Sequence, residues 1–398
     1  AQYYPVNPES RANVDLMNFN YTSSTNLDRI SMIWATMYNI IANTNLLIRN
    51  CDNRRSVLSD DYYEILKGEA LALRAYLHFD LFRLFGPVYK KDAIDQSIPY
   101  YTDFVLNVEP SLRADDFISQ VITDLEESLK LLENDPIKTY GPKGDPTDSF
   151  KQYRTLRLNY YAVKTLLARV YLYAQEKELA LETAMEVMEI QDRWFPWIKP
   201  EDASSDRVFS TELLFSLQNM KRRNLYYNFF NARNIEDTRV LAPLQYVTEK
   251  MFNYEMHDYR ATANLQSTIL IGSQNHRIFT KYEAQSDSLW NQLIPLIRIS
   301  EAFFIAAESE PTPKEGIKHL NIVRNNRGII ASPVDWYFFD DRLSSQYIRE
   351  FWGEGQLFYF YKRKNKNQIQ SPYDEWEIVD VTERNYILPI PEGETKYN

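Results

Sequence analysis

Residues 69–88 read EALALRAYLHFDLFRLFGPV, and this stretch decides the fold. Leucines recur three and four residues apart, which is the spacing of one helix face. Six apolar residues share that face: Leu66, Ala70, Leu73, Leu77, Leu81 and Phe85. The pair Gly86–Pro87 follows, and such a pair ends a helix. The sequence therefore predicts a long amphipathic helix over 60–85.

The same periodicity predicts more helices on both sides of an irregular central region. We expect them at 28–50, 113–133, 153–175, 177–190, 297–309, 314–327 and 341–353. From about 191 to 296 the periodicity weakens, and Pro, Asn and aromatic residues become frequent. Short strands are predicted there, at Ala263–Ile271 and Arg277–Tyr282. This central region is interpreted as a loop-rich excursion from a helical scaffold.

A weak internal repeat points to the type of scaffold. Residues 167–187 and 299–323 each read as a helix, a short turn and a second helix, with small alanines where the partners would cross. A helix pair of this length is typical of tetratricopeptide-like repeats, which stack and share one core. The fold class predicted is all-α, a tetratricopeptide-like scaffold with an excursion that carries short strands.

The domain organisation follows from these elements. We expect a single domain over 1–398, with the helical scaffold at about 28–190 and 297–355. The excursion at about 191–296 would form the ligand side, and an extended segment would occupy about 370–398.

Composition excludes several classes of function. The formal net charge is −10, whereas a nucleic-acid-binding protein needs a basic surface. The basic run Lys362–Lys366 is short, and we interpret it as a solvated helix end. No stretch approaches the ~18 apolar residues of a membrane span. Tyr is plentiful at 29 residues and suits recognition surfaces, because its ring is apolar and its edge is polar.

The inventory of reactive residues argues against an enzyme. The chain has four histidines, none in a metal-binding spacing, and one cysteine, Cys51, without a neighbouring base. His78 is interpreted as structural. The acidic pairs Asp60–Asp61 and Asp115–Asp116 stand where helices begin, so they complement helix ends. We expect no catalytic residue, no metal site and no cofactor.

Several motifs in order along the chain resemble the SusD-like (RagB/SusD) family. Residues 69–88 resemble its "EA..LRA..Y..L...FG..P" helix, and Ala162–Tyr171 its "A...LLARVYL" helix. Further matches are Glu212–Ser216, Thr280–Tyr282 with Ile297–Ala302, Asn321–Gly328 and Leu388–Pro391. One segment, Ile348–Gly355, follows the family pattern only loosely.

The resemblance implies a function and a location. SusD-like proteins are lipid-anchored on the outer face of the outer membrane. They bind a ligand, usually a glycan, without catalysis and pass it to a SusC-like TonB-dependent transporter. We therefore expect a glycan ligand, such a transporter as partner, and an N-terminal lipid anchor upstream of the sequence given.

The resemblance also implies where the ligand binds. The family's stacking residues generally come from the loop before the first long helix and from the stretch after the strand at Glu212–Ser216. Here these are Asn18–Thr22 and Asn224–Asn234, where aromatic rings alternate with amides and Arg. The predicted ligand-binding residues are Asn18, Phe19, Tyr21, Tyr226, Tyr227, Asn228, Phe230 and Arg233.

Three alternatives remain open at this stage. The same fold could capture a peptide, which a polar site without a flat aromatic platform would favour. The chain could be a soluble repeat-type interaction scaffold. An enzyme comes third and would need two buried carboxylates with raised pKa values in one cleft.

Overall fold

The computed structural model describes residues 10–91, 94–105, 108–231, 233, 240–252, 255, 257–271, 274–286, 288–374 and 377–395. The helices are α1 (Arg11–Met17), α2 (Ser24–Asn53), α3 (Asp60–Phe85), α4 (Ala114–Leu131), α5 (Ile137–Tyr140), α6 (Tyr160–Tyr173), α7 (Lys177–Met188), α8 (Gln191–Trp194), α9 (Arg222–Phe229), α10 (Gln245–Met251), α11 (Tyr259–Asn264), α12 (Ile299–Ser309), α13 (Pro313–Asn325), α14 (Phe339–Glu350), α15 (Gln356–Arg363) and α16 (Glu392–Thr395). The strands are β1 (Gln96–Pro99), β2 (Ser111–Arg113), β3 (Leu213–Gln218), β4 (Leu265–Ile271), β5 (Gln274–Phe279), β6 (Leu293–Arg298), β7 (Gln368–Gln370) and β8 (Ile378–Asp380). The mostly helical fold confirms the all-α prediction.

The helix predicted over 60–85 coincides with α3. Asp60 and Asp61 lie in its first turn, where carboxylates complement the helix dipole. At the other end the Gly86 N–H donates to the Phe82 carbonyl over 2.8 Å, and Pro87 cannot continue the helix. Local signals alone therefore set both ends.

The predicted start of the helix at 153–175 is wrong by seven residues. Residues Arg154–Leu156 form a separate 3-10 turn, and α6 begins at Tyr160. The Asn159 side chain accepts hydrogen bonds from the N–H groups of Tyr161 and Ala162, both at 3.1 Å. This N-cap fixes the start of α6, because it satisfies two N–H groups that the helix cannot pair internally.

The long helices stack in sequence order. α3 packs between α2 and α4, and α4 packs on α6. α7 packs between α6 and α12. α12 also contacts α13. The pairs α6–α7 and α12–α13 are the helix–turn–helix units of the internal repeat. Their side chains belong to one continuous hydrophobic core with those of α3 and α4. The tetratricopeptide-like scaffold is confirmed.

The excursion holds short helices and two small antiparallel sheets. β3 pairs with β6 in a register that places Leu213 opposite Arg298 and Gln218 opposite Leu293. β4 pairs with β5 close to the two predicted strands, although β5 begins and ends three residues before the predicted Arg277–Tyr282. The first of these strands begins at Leu265, because Ala263 belongs to the end of α11.

The excursion has a hydrophobic core of its own. Its buried members come from several of its elements and from the turn after α14: Val208, Leu213, Tyr226, Phe230, Leu244, Val247, Met251, Phe252, Ala261, Leu265, Phe279, Tyr282, Leu293 and Trp352. We call this set the second core. It anchors the excursion on the scaffold by burial of apolar surface.

A buried ionic network joins the excursion to the scaffold. Arg327 contacts Glu212 at 2.8 Å and Glu350 at 3.1 Å. Arg260 contacts the same Glu350 at 3.0 Å and Asp258 at 2.7 Å. Burial alone would raise the pKa of Glu350, but these arginines hold that pKa well below its ordinary value.

The basic run Lys362–Lys366 does end a helix, but the prediction that this end is solvated is wrong for Lys362, whereas Asn365 is exposed. Lys362 is buried and its Nζ donates to the Gly86 carbonyl over 2.6 Å. Burial, together with nearby Arg83, lowers the pKa of Lys362 to about 7. Arg363 donates to both carboxylate oxygens of Glu308 at 2.7 Å. These two side chains fasten α15, which periodicity did not predict, to the scaffold.

Candidate functional site

The first predicted segment lies between α1 and α2. Tyr21 donates its hydroxyl to the Asn385 carbonyl over 2.6 Å. The Phe19 ring meets the Tyr386 ring edge to face, with centroids 6.4 Å apart. Burial, reinforced by Tyr386, raises the pKa of Tyr21 well above its ordinary value. Asn18 is exposed. The C-terminal part of the chain therefore holds this segment in place.

Asn18, Phe19 and Tyr21 line a cavity of about 680 Å³. Its other walls come from α1, the end of α3, α15 and the hairpin β7–β8. The remaining lining residues are Val14, Leu16, Met17, Leu84, Leu357, Phe358, Tyr361, Ile369, Gln370, Ser371, Pro372, Tyr373, Glu377, Val379, Tyr386 and Leu388. We call it the N-terminal cavity. Aliphatic and aromatic groups make up most of its wall.

The second predicted segment contains α9, whose aromatic residues divide between two environments. Tyr226 is 1% exposed and Phe230 is also buried, and both belong to the second core. Tyr227 and Phe229 are 46% and 43% exposed, and Asn228 is exposed between them. A buried ring has no free face for a ligand, so Tyr226 and Phe230 support the helix. Tyr227, Asn228 and Phe229 face solvent.

A buried arginine holds the start of α9. The Nη1 atom of Arg222 donates to the carbonyls of Trp290 and Leu293 over 3.0 and 2.9 Å. Burial lowers the pKa of Arg222 to about 10. These bonds bring the turn that precedes β6 against the first turn of α9. Trp290 is 38% exposed.

Sequence reasoning missed Trp290 as a member of this surface. It stands in a polar stretch, Ser286 to Gln292, which could have marked it as an exposed ring. Two residues further on, Gln292 accepts on its Oε1 from Gln218 Nε2 over 2.7 Å. We define the α9 surface as Tyr227, Asn228, Trp290, Gln218 and Gln292.

Arg233 lies at the edge of this region, and hydrogen bonds hold its side chain in place. Its Nη1 donates to Glu283 Oε1 over 3.0 Å and to the Tyr226 hydroxyl over 3.4 Å. Arg207 contacts the other oxygen of Glu283 at 2.8 Å. Burial alone would raise the pKa of Glu283, but the two arginines hold that pKa below its ordinary value. Of the predicted stretch, Ala232 and Asn234 lie outside the described residues.

The two predicted segments do not meet in one pocket. No described residue of α9 lines the N-terminal cavity. The regions are nevertheless connected, because the Tyr246 hydroxyl donates to the carbonyl of Tyr373 and Leu357 of the cavity wall packs on the second core. Tyr246 packs on the second core and Tyr373 lines the cavity. The structure thus offers two separate surfaces.

The reactive residues have structural surroundings. His78 is buried, stacks on Tyr100 with ring centroids 3.8 Å apart, and accepts the Tyr101 N–H on Nε2 over 3.0 Å. Burial raises the pKa of the Cys51 thiol. In the part of the chain that the structure describes, no three His, Cys, Asp or Glu side chains are grouped to hold a metal ion. None of the described helices is both long and apolar enough to cross a membrane.

The stacked helix pairs, with a partly β excursion above them, define a tetratricopeptide-like helical-repeat protein. Residues 6–172 match the family model SusD-like_3, described as "Starch-binding associating with outer membrane". This N-terminal part of the chain is therefore similar to the SusD-like family. A search of curated proteins found no match.

Solved structures share the fold along most of the chain. A SusD superfamily protein from Bacteroides thetaiotaomicron has a TM-score of 0.74 at 22% identity, covering 92% of this chain and 83% of its own. A putative sugar-binding protein from Bacteroides vulgatus has a TM-score of 0.72 at 22% identity, with the same coverages. Surface glycan-binding protein A from Bacteroides thetaiotaomicron, solved in complex with laminarihexaose, has a TM-score of 0.70 at 16% identity, covering 99% of this chain and 88% of its own.

Proposed function

We propose that this protein is a non-catalytic glycan-binding protein of the cell surface. It captures an oligosaccharide or polysaccharide and delivers it to a SusC-like TonB-dependent transporter. The family description supports starch binding and association with the outer membrane. The outward orientation and a lipid anchor upstream of the sequence given are part of the same proposal.

One observation carries the glycan assignment. On α9, Tyr226 and Phe230 are buried while Tyr227 and Phe229 between them are exposed. The helix is therefore held firmly and still displays rings to solvent. Sugar faces present C–H groups that pack on such rings, and the amides of Asn228, Gln218 and Gln292 can bond hydroxyls. A rigid platform loses little conformational entropy when a ligand binds.

The peptide alternative is less well supported by this surface. A site for peptides would rely on amides and carboxylates, whereas exposed rings are the main feature of the α9 surface. Of the cations near it, Arg233 is paired with Glu283, and the guanidinium of Arg223 lies over the Tyr227 ring, 5.6 Å from its centroid. We therefore assign the α9 surface to a glycan and propose Tyr227, Asn228 and Trp290 as its main contacts.

The test is isothermal titration calorimetry against a panel of plant, host and microbial polysaccharides, with laminarihexaose and a peptide digest as further titrants. We expect binding to one polysaccharide class and no new reducing ends over hours. Tyr227→Ala should weaken binding at least tenfold, because truncation of an aromatic side chain at the centre of a binding site typically costs about 2 kcal/mol or more.

The matched control is Tyr140→Ala, since Tyr140 is 47% exposed and lies away from α9 at the end of α5. Equal affinity in the Tyr227 variant and the wild type would remove α9 from the site. Binding to the peptide digest alone would overturn the glycan assignment, and reducing ends that appear with time would overturn the non-catalytic one.

Delivery to a transporter needs a separate measurement. A stable complex generally buries more than ~1,200 Å² of surface, so the pair should survive purification in mild detergent. We expect the SusC-like transporter of the same organism to co-purify with the tagged chain from its native outer membrane. Recovery of the chain without any transporter would count against the delivery step and leave glycan binding untouched.

A further inference from the structure

The N-terminal cavity has the size of a ligand site but the wrong lining for a sugar. Its volume of about 680 Å³ lies within the ~300–1,000 Å³ that is usual for pockets that hold small molecules. Side chains from α1, α15, β8 and the C-terminal segment form an apolar wall: Met17, Leu357, Phe358, Val379 and Leu388.

The polar groups in that wall are already occupied by the protein. Tyr21 and Tyr386 donate their hydroxyls to the carbonyls of Asn385 and Lys366 over 2.6 and 2.7 Å. The Nε2 atom of Gln370 donates to the carbonyls of Asp374 and Glu377 over 2.7 and 3.0 Å. A ligand rich in hydroxyl groups would lose its bonds to water here and gain few in return, which is costly.

The rim has a different character from the interior. Asn18 and Glu377 are exposed at the mouth, and no Lys or Arg is among the described residues that line the cavity. An exposed carboxylate without a basic neighbour in the lining disfavours an anionic headgroup by repulsion. The amide of Asn18 suits a neutral polar head.

We propose that the N-terminal cavity binds the alkyl chain of an amphiphile with a neutral polar head, such as a glycolipid or an alkyl glycoside. The chain fills the apolar interior, and the head stays at the rim beside Asn18 and Glu377. This site is distinct from the α9 surface and does not depend on it. In this proposal Phe19 and Tyr21 contact an alkyl chain, whereas the sequence analysis predicted that they bind a glycan.

The test uses the Tyr227→Ala variant, so that the α9 surface does not bind the headgroup. It is titrated with octyl, nonyl and decyl maltoside below their critical micelle concentrations, and with maltose as the headgroup alone, in isothermal titration calorimetry. Each added CH₂ group should tighten binding about fourfold, which corresponds to about 0.8 kcal/mol. Maltose should not compete for this site. Affinity that does not change with chain length would overturn the proposal, as would maltose binding as tightly as decyl maltoside.

Two variants fill the cavity, Met17→Trp and Val379→Trp. Each should weaken decyl maltoside binding at least tenfold. The matched controls place the same side chain on exposed positions elsewhere, Met185→Trp and Val334→Trp, and should bind as the wild type does. Far-UV circular dichroism checks that all four variants are folded. Unchanged binding in both filling variants would overturn the assignment of the cavity.

Two further measurements separate this ligand from other occupants. Decanoate should bind more weakly than decyl maltoside, and equal binding would overturn the neutral-head part of the proposal. We expect sedimentation velocity to show the same oligomeric state for the wild type and for the filling variants. The contrary result is a wild-type dimer that the filling variants abolish. Such a dimer would mean that a second copy of the chain occupies the cavity, and it would overturn the proposal. None of these outcomes bears on polysaccharide binding by Tyr227, so the two proposals fail independently.

Discussion

Arg327, just beyond α13, donates from Nη1 to Glu212 Oε1 over 2.8 Å, although 115 residues separate the two in the chain. Both side chains are fully buried. The pair joins the start of β3, which carries the excursion, to the helical scaffold. Orientation of the α9 surface on the scaffold therefore depends on an ion pair as well as on the second core.

We expect Arg327→Met to destabilise the protein by about 3–5 kcal/mol, because Glu212 and Glu350 would be left buried without their main cation. Urea unfolding followed by circular dichroism measures the change. Lys318→Met is the control, since Lys318 and its partner Glu315 are exposed, and exposed pairs contribute little. A loss for Arg327→Met no larger than for the control would show that the network is not needed for stability.

Tyr226 and Tyr227 should behave in opposite ways. Tyr226→Ala leaves a cavity in the second core, so we expect a loss of about 3–5 kcal/mol in the free energy of unfolding. Tyr227→Ala removes an exposed ring and should change stability by less than about 0.5 kcal/mol. Urea unfolding of both variants checks this. A strongly destabilised Tyr227 variant would mean that α9 is packed differently.

Stability should fall on acidification because of His78. Its Nε2 accepts the Tyr101 N–H over 3.0 Å, so Nδ1 carries the proton and donates to the Arg74 carbonyl over 3.0 Å. Burial lowers the pKa of His78 from 6.5 to about 3. Between these two values the unfolded chain binds a proton that the folded protein does not, so this contribution to stability decreases as pH falls through that window.

The expected slope from this one group is at most about 1.4 kcal/mol per pH unit. The measurement is the free energy of unfolding by urea at several pH values from 4.5 to 7.5, for the wild type and for His78→Gln. The variant should be less stable at neutral pH and should lose less stability on acidification. Parallel curves for the two proteins would assign the acid sensitivity to other groups.

The first turn of α13 lies very close to α12 and to the start of α14. A Cβ atom on Gly316 would lie 2.3 Å from the Ala307 carbonyl oxygen and 2.9 Å from the Phe339 ring. Gly316→Ala should cost about 1–3 kcal/mol through overpacking, more than the ~1 kcal/mol that alanine gains over glycine in a helix. Thermal unfolding tests this, with Gly393→Ala as control because nothing lies within 4 Å of that Cβ position. A more stable Gly316 variant would show that the two helices can separate without cost.

The sequence by itself determined the scaffold. Helix α3 could be bounded at both ends, and the repeated helix pairs and the two strands of the β4–β5 hairpin could be located, because periodicity, caps and stop signals act over a few residues. Order along the chain then implied the stacking of neighbouring helices. By contrast, the sequence could not show that Tyr227 and Asn228 are exposed while Tyr226 and Phe230 are buried.

Only the tertiary structure decided which faces are covered. Lys362 looks like a surface residue in the sequence, yet α15 packs against α3 and buries it. Trp290 joins the α9 surface only because Arg222 draws its turn to the helix, and the N-terminal cavity forms only where α1, α15 and the C-terminal hairpin meet. A hydrophobic pattern states which side of an element is apolar, but contacts between residues far apart in the chain decide what lies against that side.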